Sequence, residues 1–580
     1  MADRTLTINH ADGGSETYTI NRDKFAGVRS MSVDGATVSV DHTAVPKQQS
    51  KETTFGGSQS ITVKRDIEPL LSKVVGGAAA AYSLRDLNDK AGNNKVVRVR
   101  RASDNHERDF SAKEVSNGTL TGWVKALTDT AVNGTGAYNH YTLTNASYNG
   151  FSANKGDGGH AMAGFPYSFT NGDEITVQFT VSNFNNTGSP PQLMGTESTS
   201  DGTSKSDFQF ITANGTYTKT LTATADGTHL MFRHFGTGSY TISDFQITST
   251  IGTAVNGTGS FDNYTISNLS NTGFSADNSA GGTGSAGFPY VFKDEDVLVV
   301  KYTVTNFSST SSLSPALRGV NNVNSVTGKT NSGTAFTANG TYTDTLTATA
   351  DGTHLMFADG NTGSYTISDF EIVSHSSSGF VETWYDQSGN GNDVTQETAG
   401  SQPKIVNAGS LVTIGGRASF KFDGSNDFLA RATYTQGELS QPNTLFSVAE
   451  LDAYVDGNQK VYDGYQTPSR NMLQLNAAGN GQFAHFAGAI AATGEDADAD
   501  RHLFTSLING ASSDLRIDGT SKTTADTSSR GMIGIVIGAN HDRLTNFWDG
   551  DIQEIIIYNS NQSANRPAIE ANINNQYDIY

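Results

Sequence analysis

Two stretches of this chain, each about 120 residues long, are copies of one another, and a duplication of that kind obliges the chain to close two similar units. Thr130-Ala131-Val132-Asn133-Gly134-Thr135-Gly136 recurs 123 positions later at Thr253 to Gly259, and Gly164-Phe165-Pro166-Tyr167 recurs at the same spacing as Gly287-Phe288-Pro289-Tyr290. Thr220 to Phe232 recurs at Thr345 to Phe357, 125 positions on, so the second copy holds two extra residues in an earlier loop. Runs such as Glu174 to Val181 and Tyr240 to Ile247 alternate apolar and polar residues between Gly, Asn and Asp turns. That is the size and pattern of one β-sandwich per copy.

Composition agrees with an all-β chain of several sandwiches. Of 580 residues 62 are Gly, charged residues are 17% and hydrophobic ones 35%, a balance that suits short strands and frequent turns. Plausible helices are confined to the region of Asp66 to Asp86, interrupted at Gly76-Gly77, and to Ala564 to Asn575. A formal charge of −20 would repel phosphate-rich partners, which argues against nucleic acid. The chain has no cysteine, so disulfide and thiolate chemistry are excluded. Met1-Ala2-Asp3-Arg4 leads into polar alternation with no apolar run long enough for a signal peptide or a membrane span. The expectation is a protein made in a bacterial cytoplasm that works outside the cell without membrane insertion. Asn-Gly-Thr triplets such as Asn133 to Thr135 then read as turn chemistry rather than glycan acceptors.

Outside the repeats, one stretch carries most information. Gly379 to Trp384 alternates as a strand and then breaks into Tyr385-Asp386-Gln387-Ser388-Gly389-Asn390-Gly391-Asn392, a tight turn bonded by its own side chains. Together with Ala81-Tyr82-Ser83-Leu84, Val97 to Asp104 and Phe420 to Leu429, this stretch resembles the laminin-G/concanavalin A-like sandwich of bacteriophage virion proteins and of fungal α-L-arabinofuranosidases. The resemblance implies one sandwich in two sequence parts, 66–127 and 378–580, closing around an insertion that holds the repeats at 128–251 and 252–377. Residues 1–65 read as a small β segment that anchors the chain. In organisation the repeats are similar to jelly-roll carbohydrate-binding modules.

Candidate ligand groups follow from residue chemistry. Sugars are held by aromatic faces and by planar amides or carboxylates, and Trp384, Tyr385, Asp386, Gln387, Asn390 and Asn392 supply both within nine positions. The other reading of the same residues is structural, with Trp384 in the core and Asp386 bonding the turn. Arg98, Arg100 and Arg101 are expected to pair internally with Asp104, Glu107 or Asp109, or else to meet an anionic sugar or subunit. Asp423 and Asp427 form the turn best shaped for a structural calcium, whereas Glu495 to Asp500 reads as a solvated acidic loop. His229 and His354 recur in strand context, which points to packing. Glu382, Asp386, Asp423, Asp427, Asp549 and Glu554 provide carboxylates for glycoside hydrolysis. The arabinofuranosidases that this half resembles also use an adjacent cysteine pair, absent here, so no catalytic residue is carried over and the chain is expected not to be an enzyme.

These readings combine into an expected virion-surface protein of a tailed bacteriophage, a fibre, spike or capsid appendage without cofactor. Its partners would be host surface polysaccharide and other virion proteins, and it would form a homo-oligomer, a trimer by preference. A purely structural decoration protein and a polysaccharide-degrading hydrolase are the alternatives.

Overall fold

A computed structural model describes residues 4–9, 15–20, 29–33, 36–40, 50–55, 59–64 and 69–580, apart from 90–93, 104, 127, 129, 158, 280, 310–312, 326, 453, 455–457 and 477–480; side chains are described from residue 69 onward, except 248–250. The fold is all-β, built from several antiparallel sheets. At the N-terminus, Arg4–Asn9 lies between Ser15–Ile20 and Gln59–Lys64, with Ser50–Phe55 at the edge, and Arg29–Val33 pairs with Ala36–Val40 as a separate hairpin.

The largest assembly joins segments from both ends of the sequence. Lys95–Arg101 pairs with Gly379–Trp384, placing Val97 opposite Trp384, and Ala80–Ser83 pairs with Asp549–Tyr558, placing Ala81 opposite Ile556. The strand Asp549–Tyr558 also borders Phe420–Asp423 and Asn443–Leu451. Its run Ile555 to Tyr558 is unbroken by polar residues because both faces of the strand are covered there. Ile555 and Ile557 point into the main core with Trp384, Phe420 and Trp548, while Ile556 and Tyr558 meet Ile569, Ile573 and Tyr577 of the C-terminal helix Arg566–Tyr577. Ala81 and Tyr82 divide in the same way between the two cores.

The expected helix over Asp66 to Asp86 does not form in the described part. Leu70–Val74 makes one π-helical turn and Ala80–Ser83 is a strand; Asp66, Ile67 and Glu68 lie outside the described residues. Alanine's helix propensity is overridden by the sheet edge that Asp549–Tyr558 offers and by room for only small side chains at Ala78 and Ala81 under the C-terminal helix. Two short helices, Ala112–Ser116 and Thr119–Lys125, were not anticipated; the first opens with a capping box in which Ser111 and Glu114 bond each other's backbone N–H.

Each repeat is a two-sheet sandwich with its own core, and the two share one strand order. In the first, Val132–Asn133, Ala161–Phe169, Gly227–His234, Gln192–Thr196 and Phe208–Phe210 face Thr142–Ser147, Gly150–Lys155, Thr237–Ile251, Glu174–Thr187 and Gly215–Thr222. The second repeats this with Val255–Asn256, Gly284–Phe292, Gly352–Asp359 and Ala316–Val320 against Thr265–Ser267, Phe274–Asn278, Gly363–Ser376, Val297–Ser309 and Gly340–Thr347. Stacked phenylalanines at matching positions centre the cores: Phe165 on Phe245 at 4.0 Å and Phe288 on Phe370 at 3.9 Å. The second repeat touches the split sandwich where Glu295 forms an ion pair with Lys404 at 2.7 Å.

Candidate functional site

The turn after Trp384 is a fastener between the two halves of the split sandwich. Trp384 is fully buried against Phe420 and Tyr82. Asp386 accepts from the backbone N–H groups of Ala81 at 2.8 Å, Ser388 at 2.8 Å and Asn392 at 3.0 Å, and from the Ser388 hydroxyl at 2.7 Å. Gln387 accepts from the Leu87 N–H and donates to the carbonyls of Ser83 and Arg85. Asn390 and Asn392 donate to the carbonyls of Ala78 and Ala79, and the Tyr385 hydroxyl donates to Asp109 at 2.6 Å. The polar groups assigned from sequence to a sugar are thus engaged inside the fold, the structural reading of the same residues.

The arginines divide three ways. Arg98 pairs with Asp109 at 2.8 Å, as one sequence expectation had it; burial pushes the Asp109 carboxyl up, but hydrogen bonds from Arg98, Lys95 and Tyr385 outweigh it and hold the group below the ordinary range. Arg100 donates to Gln402 and Asn105, and Arg101 is buried with its guanidinium on the carbonyls of Trp123, Ala126 and Thr128. Asp104 lies outside the described residues.

The Asp423 and Asp427 carboxylates, read from the sequence as a turn for calcium, bond the backbone of that turn. Asp423 accepts from the N–H groups of Ser425 and Asn426, and Asp427 accepts from the Asp423 N–H at 3.1 Å, so both cap their own turn. Among the described residues no three His, Asp or Glu side chains converge as a metal site. Of the other carboxylates, Glu554 is buried and held by Arg85 at 2.7 and 2.9 Å. His229 and His354 each face a neighbouring threonine hydroxyl at 2.8 Å.

An open groove on the second repeat, about 190 Å³ in volume, is lined by five serine and threonine residues, by Asp277 and Asn306, and by Ala276 and Tyr365. Its floor is a cross-strand ladder on the outer face of one sheet. Thr265 lies opposite Asp277 and Asp277 opposite Ser364; one step along, Ser267 lies opposite Ser275 and Ser275 opposite Thr366. Outward alternation presents these side chains together, while Ala276 and Tyr365 between them turn into the core. Ser275 and Thr366 hydroxyls are 3.1 Å apart, and Asn306, held at φ 52°, donates to Thr366 at 3.3 Å. Asparagine tolerates that left-handed backbone where most side chains are strained.

The first repeat builds the same ladder. Thr142, Asn154 and Ser239 form one row, Thr144, Ser152 and Thr241 the next. Ser152 and Thr241 hydroxyls are 3.1 Å apart, and Asn183, also at φ 52°, donates to Thr241 at 3.4 Å. Farther along the same face the copies diverge: Gln178 and Gln246, bonded at 2.7 Å in the first repeat, correspond to Lys301 and Glu371 in the second. Sequence reading missed this ladder, although Ser152/Ser275 and Asn183/Asn306 at 123 positions and Thr241/Thr366 at 125 recur with the repeat.

No described protein family matches the chain, and no curated protein matches it. Among solved structures it is similar to a Trypanosoma rangeli sialidase. The complex with 2,3-difluoro-KDN is 14% identical over 34% of this chain and 31% of that one, with a TM-score of 0.25, so this match spans under a third of the sialidase. The complex with the inhibitor DANA is 8% identical over 84% of this chain and 97% of that one, TM-score 0.23, and the complex with sialic acid 8% identical over 98% and 96%, TM-score 0.24. Against the expectation that the chain is not an enzyme, the structures it is similar to are those of an enzyme. At these TM-scores the superposition carries no argument about a substrate or a catalytic group in this chain.

Proposed function

We propose that the chain binds carbohydrate through the ladder of serine, threonine and asparagine duplicated on its two repeats, which lines an open groove on the second. Carrying forward the resemblance of its two-part sandwich, we also propose that it does so as a surface appendage of a bacteriophage particle adhering to host polysaccharide. The observation that carries the reading is the retention of one ladder of serine, threonine and asparagine in both copies, while Gln178 and Gln246 farther along the face give way to Lys301 and Glu371. Hydroxyls and amides both donate and accept, which matches the hydroxyl pairs of a sugar ring. A shallow groove of this size admits one sugar residue and binds weakly by itself. Two such ladders on one chain, multiplied in an oligomer, would convert weak contacts into firm attachment to a repeating glycan.

The test is binding of the full chain to a glycan array, beside a variant carrying Thr241→Val and Thr366→Val. Valine keeps the β-branched shape and removes the hydroxyl that organises each ladder. The reading expects selective glycan binding that the double variant loses. Equal binding by both proteins, or none by either, would refute it, and silence would favour a purely structural decoration role.

A further inference from the structure

Between the two ladders one difference changes formal charge. Asp277 stands in the second repeat where Asn154 stands in the first, in the same row and between matching hydroxyl neighbours. Both side chains are exposed, and Asp277 makes no hydrogen bond or ion pair with another described residue. No lysine or arginine lines the groove around it. A carboxylate only accepts hydrogen bonds, and it adds charge attraction where the donor is an ammonium group.

We propose that the groove on the second repeat selects an amino sugar carrying a free ammonium group, while the ladder on the first repeat takes a neutral sugar. The inference rests on the reading of the ladders as carbohydrate sites. Uronates and other anionic sugars would be repelled by Asp277, and an N-acetylated amino sugar would forgo the charge-assisted bond while keeping the hydroxyl contacts. One chain would then hold two specificities on a common ladder, suited to a polysaccharide in which both residue types occur.

The experiment compares a β-1,4-linked glucosamine tetramer with its N-acetylated counterpart, both titrated into the full chain at mildly acidic pH and low salt. Asp277→Asn is expected to weaken binding of the glucosamine tetramer about fivefold, the size of one exposed charge contact, and to leave the N-acetylated tetramer unchanged. Asn154→Asp is expected to give the first repeat's ladder the same preference. Asp369→Asn, at an exposed carboxylate outside the groove, should alter neither and controls for the overall negative charge. Added salt should erase the preference. If Asp277→Asn leaves both tetramers unchanged or weakens both equally, the inference fails while the carbohydrate reading stands. Absence of binding to either tetramer, and to a wider glycan panel, would overturn both.

Discussion

The Asp386 carboxylate accepts the backbone N–H of Ala81 at 2.8 Å across 305 positions of sequence. Between these residues run both repeats, so this bond and its neighbours join what the insertion separates. Asp386→Ala would leave the N–H groups of Ala81, Ser388 and Asn392 without their acceptor and should cost about 2–4 kcal/mol. Because each repeat closes its own core, calorimetry should show the split-sandwich transition shifting down while the repeat transitions stay in place. A uniform shift of every transition would contradict separate cores.

Phe165 and Phe288 occupy one position of the duplicated core, each fully buried and stacked on Phe245 or Phe370. Either one changed to Ala should destabilise its own repeat by about 3–5 kcal/mol. Limited proteolysis should cut the altered repeat first and leave its twin intact.

Acid should weaken the split sandwich through His485. Burial pushes this imidazole down to about 4, and its Nδ1 sits 2.9 Å from the Ser506 hydroxyl. A base whose folded value lies below its unfolded one stabilises the fold above about 6.5, and that contribution is lost as pH falls toward 4. Urea unfolding at pH 7 and pH 4.5 should show wild type losing about 2–3 kcal/mol more than His485→Gln. Equal losses would show that the buried histidine is not the titrating group.

Asp427 has the opposite sign. Burial, with Asp423 beside it, pushes its carboxyl up to about 8, so folding favours the protonated form. This contribution is complete below about 4 and is lost by about 1.4 kcal/mol per pH unit as pH rises toward 8. Asp427→Asn, which keeps an acceptor for the Asp423 N–H, should raise the melting temperature at pH 7.5 and leave it unchanged at pH 4.

How far the sequence could be read depended on how local each signal was. Strands such as Asp549–Tyr558 stood out because burial on both faces writes an unbroken apolar run. The Trp384 turn was visible as a turn, since Asp, Ser, Gly and Asn bond their own backbone, but its partners around Ala79 and Ala81 lie in another part of the chain. That distance hid its fastening role and left its amides looking available to a ligand. The Ala80–Ser83 strand reads as helix from sequence because alanines carry no strand signal until a neighbouring strand is supplied. The ladders were hidden for a related reason: each joins side chains about 90 positions apart, such as Ser275 and Thr366, and single serines and threonines look like any exposed strand face.

The central claim is that each repeat carries one sugar site. Calorimetric titration of the full chain with an oligosaccharide identified on the array counts those sites directly. The account predicts two sites per chain, falling to one in Thr366→Val or Thr241→Val alone and to none in the double variant. A stoichiometry that neither substitution changes would contradict it.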